Sequence, residues 1–340
     1  MKPHAEAAVA MPRSGIREVM ELAAGKENLI KLHVGEPSFR TPLHIIEAAF
    51  QAAKDGHTRY TANAGTPDLR AAVAARYAPR YGYPISPDEV LIGAGAVNAI
   101  AAMLFSVIHD GDEVLAPDPG WPNYHGQVML ARGVAVPYPL RAENGWLPNI
   151  GDLDGLLTPR TKVIILNNPS NPCGVVWPRA TVKAVMDWAK RHDLWVISDE
   201  IYEDLIYDGD MIPAAPFDRE RTIAIGGCSK SYAMTGWRIG WAIAPADLVA
   251  LAAKVQEGLV SCPSDISQSA AVAALTGSQD CVEEMRSAYE RRRDLVRDLL
   301  APAGLLPTAP EGAFYAMIDF RALGISSREV VKRLIAEEGV

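Results

Sequence analysis

Val163-Ile164-Ile165-Leu166-Asn167-Asn168-Pro169-Ser170-Asn171-Pro172-Cys173-Gly174 opens with four apolar residues and ends in a loop stiffened by two Asn-Pro pairs. Beyond it, residues 179–191 place Val182, Val185, Met186 and Ala189 on one helical face and Lys183, Asp187, Lys190 and Arg191 on the other. Trp195-Val196-Ile197-Ser198 then repeats the short apolar run. Strand, loop, amphipathic helix and strand in that order predict a parallel sheet whose faces are covered by helices.

Working outward, the same pattern recurs, with strands expected at 90–92, 114–116, 134–136, 163–166, 195–198, 222–225 and 238–244. The fold class is therefore α/β: a large three-layer α/β/α domain around a mostly parallel, seven-stranded sheet. After about residue 264 long helices take over, 278–300 being dense in Arg and Glu, and 312–318 reads as a further strand. This predicts a smaller α+β domain. The division is 1–40 for an N-terminal arm and the start of the small domain, 41–264 for the large domain and 265–340 for the rest of the small one. Near the N-terminus, Ile16, Val19, Met20 and Ala23 share a helical face, and a short extended piece at 32–39 ends in a turn. A helix at 42–54 has Thr41 as its expected N-cap, and a polar loop carrying Tyr60 precedes a helix at 66–77.

Composition limits the partners. Lys+Arg 33 against Asp+Glu 41 gives a net charge of −8, with no basic run, so neither nucleic acid nor an anionic membrane surface is expected as a partner. No apolar stretch reaches spanning length and no secretory signal follows Met1, so the expected location is cytoplasmic. Cys173, Cys228, Cys262 and Cys281 form no C-x-x-C pair and share no spacing with histidines, which argues for free thiols and against a metal site.

In an open parallel sheet, ligands bind beyond the carboxyl ends of the strands. After the first strand comes Gly93-Ala94-Gly95-Ala96-Val97-Asn98, a small-residue turn into a helix that suits a phosphate, or simple close packing. After the second, Trp121 stands on a rigid Pro-rich loop and can stack on a flat ring, although such an indole is more often core. After the fourth, Asn171 can direct its amide at a ligand oxygen. Asp199 follows the fifth, with Tyr202 three residues on; alone, such an acid is more often a cap or a solvated strand end. After the sixth comes Gly227-Cys228-Ser229-Lys230, with Arg238 eight residues beyond the lysine, as either a phosphate contact or a charge that perturbs the amine. Gly35 leaves room for close approach to the backbone. Together, amine, carboxylate, phenol, amide, aromatic plate and phosphate contacts match pyridoxal 5'-phosphate: Lys230 for a Schiff base, Asp199 for the ring nitrogen, Tyr202 and Asn171 for the ring oxygen, Arg238 for the phosphate.

The chain resembles the class I/II aminotransferases of fold type I, the aspartate and aromatic aminotransferase group, from Ser14-Gly15-Ile16-Arg17 onward. Ser229-Lys230 with Gly236-Trp237-Arg238, Asn168-Pro169-Ser170-Asn171-Pro172, and Asp199-Glu200-Ile201-Tyr202 carry the likeness, in the family's order. The resemblance implies a pyridoxal-phosphate-dependent exchange of an amino group between an L-amino acid and a 2-oxo acid by a ping-pong mechanism. It implies a homodimer with shared sites, Tyr60 of the partner subunit on the phosphate, and Gly35, Trp121 and Asn171 on the substrate side. Cys173 stands where the family usually has threonine. The family's carboxylate-binding arginine would follow Glu338-Gly339-Val340, so a further C-terminal segment is expected. Two other readings share the features: a C–S lyase acting by β-elimination, and a non-catalytic sensor domain of a regulator, the latter disfavoured by the short N-terminal segment.

Overall fold

The computed structural model describes residues 2–11, 15–26, 28–32 and 34–340. Ser14 and His33, which fall within stretches quoted above, lie outside the described residues. Seven strands form one sheet: β1 Val90–Gly93, β2 Glu113–Asp118, β3 Val134–Pro139, β4 Thr161–Asn167, β5 Trp195–Asp199, β6 Thr222–Gly227 and β7 Gly240–Ile243. Their order across the sheet is β1-β7-β6-β5-β4-β2-β3. β7 runs antiparallel to both its neighbours, and every other pairing is parallel.

The strands are apolar along their length because both faces are covered. Val163 and Ile165 of β4 point to a layer that includes Ala99, Met103 and Leu248, whereas Ile164 and Leu166 point to the opposite layer with Val182, Val185, Met186 and Ala189. These last four are the face expected of the helix Arg179–Arg191, and all four are buried. At roughly 1.5–3 kcal/mol for each large apolar side chain removed from water, that face is the main force docking the helix. β3, at the edge, is only half covered and correspondingly mixed in its burial.

Several local expectations need correction. Arg238 does not begin the last strand: it follows the short turn Thr235–Trp237 in the left-handed region at φ 54°, and β7 starts two residues later. Thr41 caps no helix; its hydroxyl donates to the Ala233 carbonyl at 2.7 Å and accepts from the Trp237 indole at 3.0 Å, tying the N-terminal segment to the Lys230 loop. The helix expected at 66–77 runs from Pro67 to Tyr81, through Pro79, and stops at Gly82 in the left-handed conformation. Residues 312–318 make one isolated bridge, Gly312 to Ile206, and form no strand. The helix Asp265–Thr276 shares a buried cluster with Ile45, Leu69, Val73 and Trp241, so it belongs to the layer on the sheet and not to a separate core.

Candidate active site

The loops after the strands converge on a cavity of about 510 Å³. β6 ends at Gly227, and the next turn buries Ser229 and brings Lys230 into the cavity, where Nζ donates to the Gly35 carbonyl at 2.7 Å. Burial pushes the Lys230 amine down to about 8; Asp199 and Glu36 partly oppose this, and nearby Arg238 adds to it.

Asp199 closes β5 and is almost wholly buried. Its Oδ2 accepts from the Tyr124 hydroxyl at 2.6 Å and its Oδ1 from the Ile201 amide at 3.2 Å. Burial raises its affinity for a proton, and these two donors counter that in part. Tyr202, a further three residues on, is also buried, which holds its phenol well above the ordinary range. Its oxygen lies 2.7 Å from the Tyr315 hydroxyl and receives the Asn171 side-chain amide at 3.4 Å. Asn171 is itself fixed by its backbone N–H, which donates to Asn167 Oδ1 at 2.7 Å.

Beyond β1, the helix Ala96–Val107 begins at Gly95 without a side-chain cap, leaving first-turn amides for a ligand, and Ala96 and Val97 line the cavity. Gly95 has φ +86°, and a Cβ there would come within 2.5 Å of the Arg238 guanidinium. The arginine therefore lies directly against the helix start. It donates to the Thr235 carbonyl at 2.9 Å and keeps further N–H groups for the cavity. Trp121 lines the same cavity, its ring edge-on to Tyr124 with centroids 5.2 Å apart. Thus Gly35, Ala96, Val97, Trp121, Asn171, Asp199, Tyr202, Ser229, Lys230 and Arg238 meet at one place, with Gly95 against Arg238. Tyr60 does not join them: its side chain is 90% exposed.

Sequence reasoning missed Tyr124, Asn167, Glu36 and Tyr315. Tyr124 and Asn167 stand on the strand-end segments already singled out, so reading every polar residue of those loops would have found them. Glu36 follows Gly35, and its carboxylate accepts from Thr235 at 2.6 Å. Tyr315 arrives from an extended segment with no strand period, and nothing local marks it.

The residues present fit pyridoxal phosphate: a desolvated amine, a buried carboxylate, an uncapped helix start with an arginine packed on its glycine, and a phenol between an amide and a second hydroxyl. The profile of the family described as aminotransferase class I and II matches residues 27–340. The chain belongs to that family. This aminotransferase is 36% identical to the aspartate/prephenate aminotransferase of Thermus thermophilus over 343 residues, 100% of this chain and 87% of the relative. It is 39% identical over 333 residues to aromatic-amino-acid aminotransferase 2 of Thermococcus litoralis, covering 96% of this chain and 86% of that protein. Among solved structures, T. thermophilus aspartate aminotransferase with maleate matches at a TM-score of 0.94 and 34% identity, over 99% of this aminotransferase and 90% of that chain. The aminotransferase is thus a pyridoxal-phosphate-dependent transaminase acting between amino and 2-oxo acids. Among the described residues, no helix is long and apolar enough to cross a membrane.

Proposed function

We propose that Lys230 is the cofactor-bearing amine and the proton carrier of this transaminase, and that its preferred donors are amino acids with uncharged, chiefly aromatic, side chains. When bound, the cofactor supplies an aldehyde that condenses with amines and a protonated ring that withdraws electrons. With its amine held near 8, Lys230 has a substantial uncharged fraction at mildly alkaline pH, and Nζ can take the proton from the substrate Cα and return it. Asp199, held by Tyr124 and the Ile201 amide, would face the ring nitrogen and, as a carboxylate, favour its protonated form. Tyr202 and Asn171 serve the ring oxygen, Trp121 covers a ring face, and Arg238, Ser229 and the first amides after Gly95 take the phosphate.

The observation that carries the assignment is the position of Lys230 Nζ in the cavity that Asp199 and Tyr202 also line. For the donor, the guide is the rest of the lining. Ile16, Leu32, Val34, Trp121 and Tyr315 present apolar surface, and the cations among the described lining residues are Lys230 and Arg238, both already engaged. Gly35, whose carbonyl holds the lysine, is placed on the substrate side against the Tyr315 hydroxyl. We further place Tyr60 of the partner subunit on the phosphate in a homodimer, a reading supported by its exposure, and the four free cysteines support a reducing, cytoplasmic compartment.

A donor panel with 2-oxoglutarate tests this. Phenylalanine and tyrosine should give at least about tenfold higher kcat/KM than aspartate, the equivalent of about 1.4 kcal/mol. Lys230→Ala should lose both turnover and the visible absorbance of the lysine-bound cofactor. Normal turnover by Lys230→Ala refutes the lysine assignment, and a preference for aspartate refutes the donor reading.

A further inference from the structure

Tyr315 is not accounted for by the chemistry above, yet its hydroxyl lies 2.7 Å from that of Tyr202, and either could donate. The role proposed for Tyr202 decides the direction. Asn171 Nδ2, which can only donate, reaches the Tyr202 oxygen at 3.4 Å, and Tyr315 has no other hydrogen-bond acceptor among the described residues. Were Tyr202 to donate to Tyr315, its proton would be spent there and none would be left for the cofactor oxygen it is proposed to serve. We propose that Tyr315 donates to Tyr202, so that protein donors fill both acceptor positions of the Tyr202 oxygen and its own proton is left for the cavity.

Tyr315 is then a positioning residue: it aims the proton of the phenol that serves the cofactor. The proposal rests on the reading that Tyr202 faces the cofactor's ring oxygen. The fold holds Tyr315 in place for this purpose. Ala313, at φ 56°, donates its N–H to the Leu205 carbonyl at 2.8 Å and accepts at its own carbonyl from the Tyr207 hydroxyl, so the segment is pinned to the residues just after Tyr202. The rings of Phe314 and Tyr315 each meet the Tyr202 ring edge-on, with centroids 5.6 Å away. On the opposite side, a Cβ at Gly35 would overlap the Tyr315 hydroxyl, so glycine makes room for it. The other ionisable groups facing the pair are Asp199, Lys230 and Tyr289.

The test is the pH midpoint of the absorbance change of protein-bound pyridoxal 5'-phosphate in the unsubstituted protein, Tyr315→Phe, Tyr202→Phe and the double variant. A weaker donor leaves more negative charge on the cofactor oxygen, so Tyr315→Phe should raise the midpoint by about half a unit to one unit, less than Tyr202→Phe does. In the Tyr202→Phe background, removing the Tyr315 hydroxyl should add nothing. An unchanged midpoint in Tyr315→Phe overturns the proposal, as does an equal shift with and without Tyr202. Unfolding of the apoproteins checks that each variant folds. If the unsubstituted protein shows no cofactor absorbance, the cofactor reading fails and the proposal fails with it; if Tyr202→Phe shifts the midpoint and Tyr315→Phe does not, the proposal fails alone.

Discussion

Lys230 is destabilising where it stands in the apoprotein. Its amine titrates near 10.5 when exposed and at about 8 in the folded chain, burial being the main cause. Between these values the unfolded chain binds more protons, so this residue's contribution to stability rises with pH through that window, and the full penalty applies below about pH 8. Lys230→Met should therefore stabilise the apoprotein at pH 7, by at most an order of 3 kcal/mol, less the lost bond to the Gly35 carbonyl. The gain should fade to nothing by about pH 10.5. Urea unfolding across that range measures it, and a gain independent of pH would mean that packing, not charge, is responsible. The meeting of Lys230 with Asp199, Asn171 and Trp121 was legible because each stands at or just beyond the end of a strand. Tyr124 was less so: a phenol at the start of a helix reads as core, and its bond to Asp199 depends on a contact 75 residues away in sequence.

At the scale of the element, the turn after β5 is fixed from behind. Asp204 accepts from Arg76 at 2.7 and 2.9 Å and from Arg80 at 2.7 Å, while Arg80 also lies 2.6 Å from Glu203, which in turn accepts from Tyr77 at 2.6 Å. Burial pushes the Asp204 carboxyl up, but the two arginines outweigh it and hold the group below its usual value. The same Arg76 reaches Gln279, which accepts from Tyr232 at 2.6 Å, so the helix Pro67–Tyr81 ties the segment carrying Asp199 and Tyr202 to the Lys230 loop. Removing one partner of a buried ion pair costs about 3–5 kcal/mol because the other is left uncompensated. Because Arg80 stays on Asp204, Arg76→Ala should lose less than that in urea unfolding, and should also weaken cofactor binding although it touches no ligand; an unchanged cofactor affinity would show that the turn holds itself. The strands were legible because two covered faces leave an unbroken apolar run. Arg238 was misread as part of β7, since the run Trp237 to Ala244 gives no sign of a left-handed residue, and 312–318 was misread because an apolar, aromatic segment looks the same whether it pairs with a neighbour or lies over a cavity.

At the scale of the whole molecule, Tyr60 raises the question of how many chains make one site. Leu43, Ile46 and Phe50, spaced along one side of a helix, are exposed at 67%, 40% and 63%, and Tyr60 at 90%, an apolar surface that a second copy would cover. If Tyr60 reaches the partner's phosphate, sites are shared, and this can be read from mixed dimers. In a hybrid of one Lys230→Ala protomer and one Tyr60→Ala protomer, one site carries both defects. The other pairs an intact lysine with an intact Tyr60 from across the interface. Tyr60→Ala alone should weaken cofactor retention by the loss of a charged hydrogen bond, about 1.5–3 kcal/mol or roughly ten- to a hundredfold. The hybrid should recover tight retention in half of its sites. Equilibrium dialysis of separately tagged hybrids measures this, with Tyr60→Ala homodimers as the weak reference. Retention in the hybrid no better than in those homodimers would mean that Tyr60 serves its own chain's site or none, and a chain that stays monomeric at all concentrations in sedimentation would remove the shared site altogether.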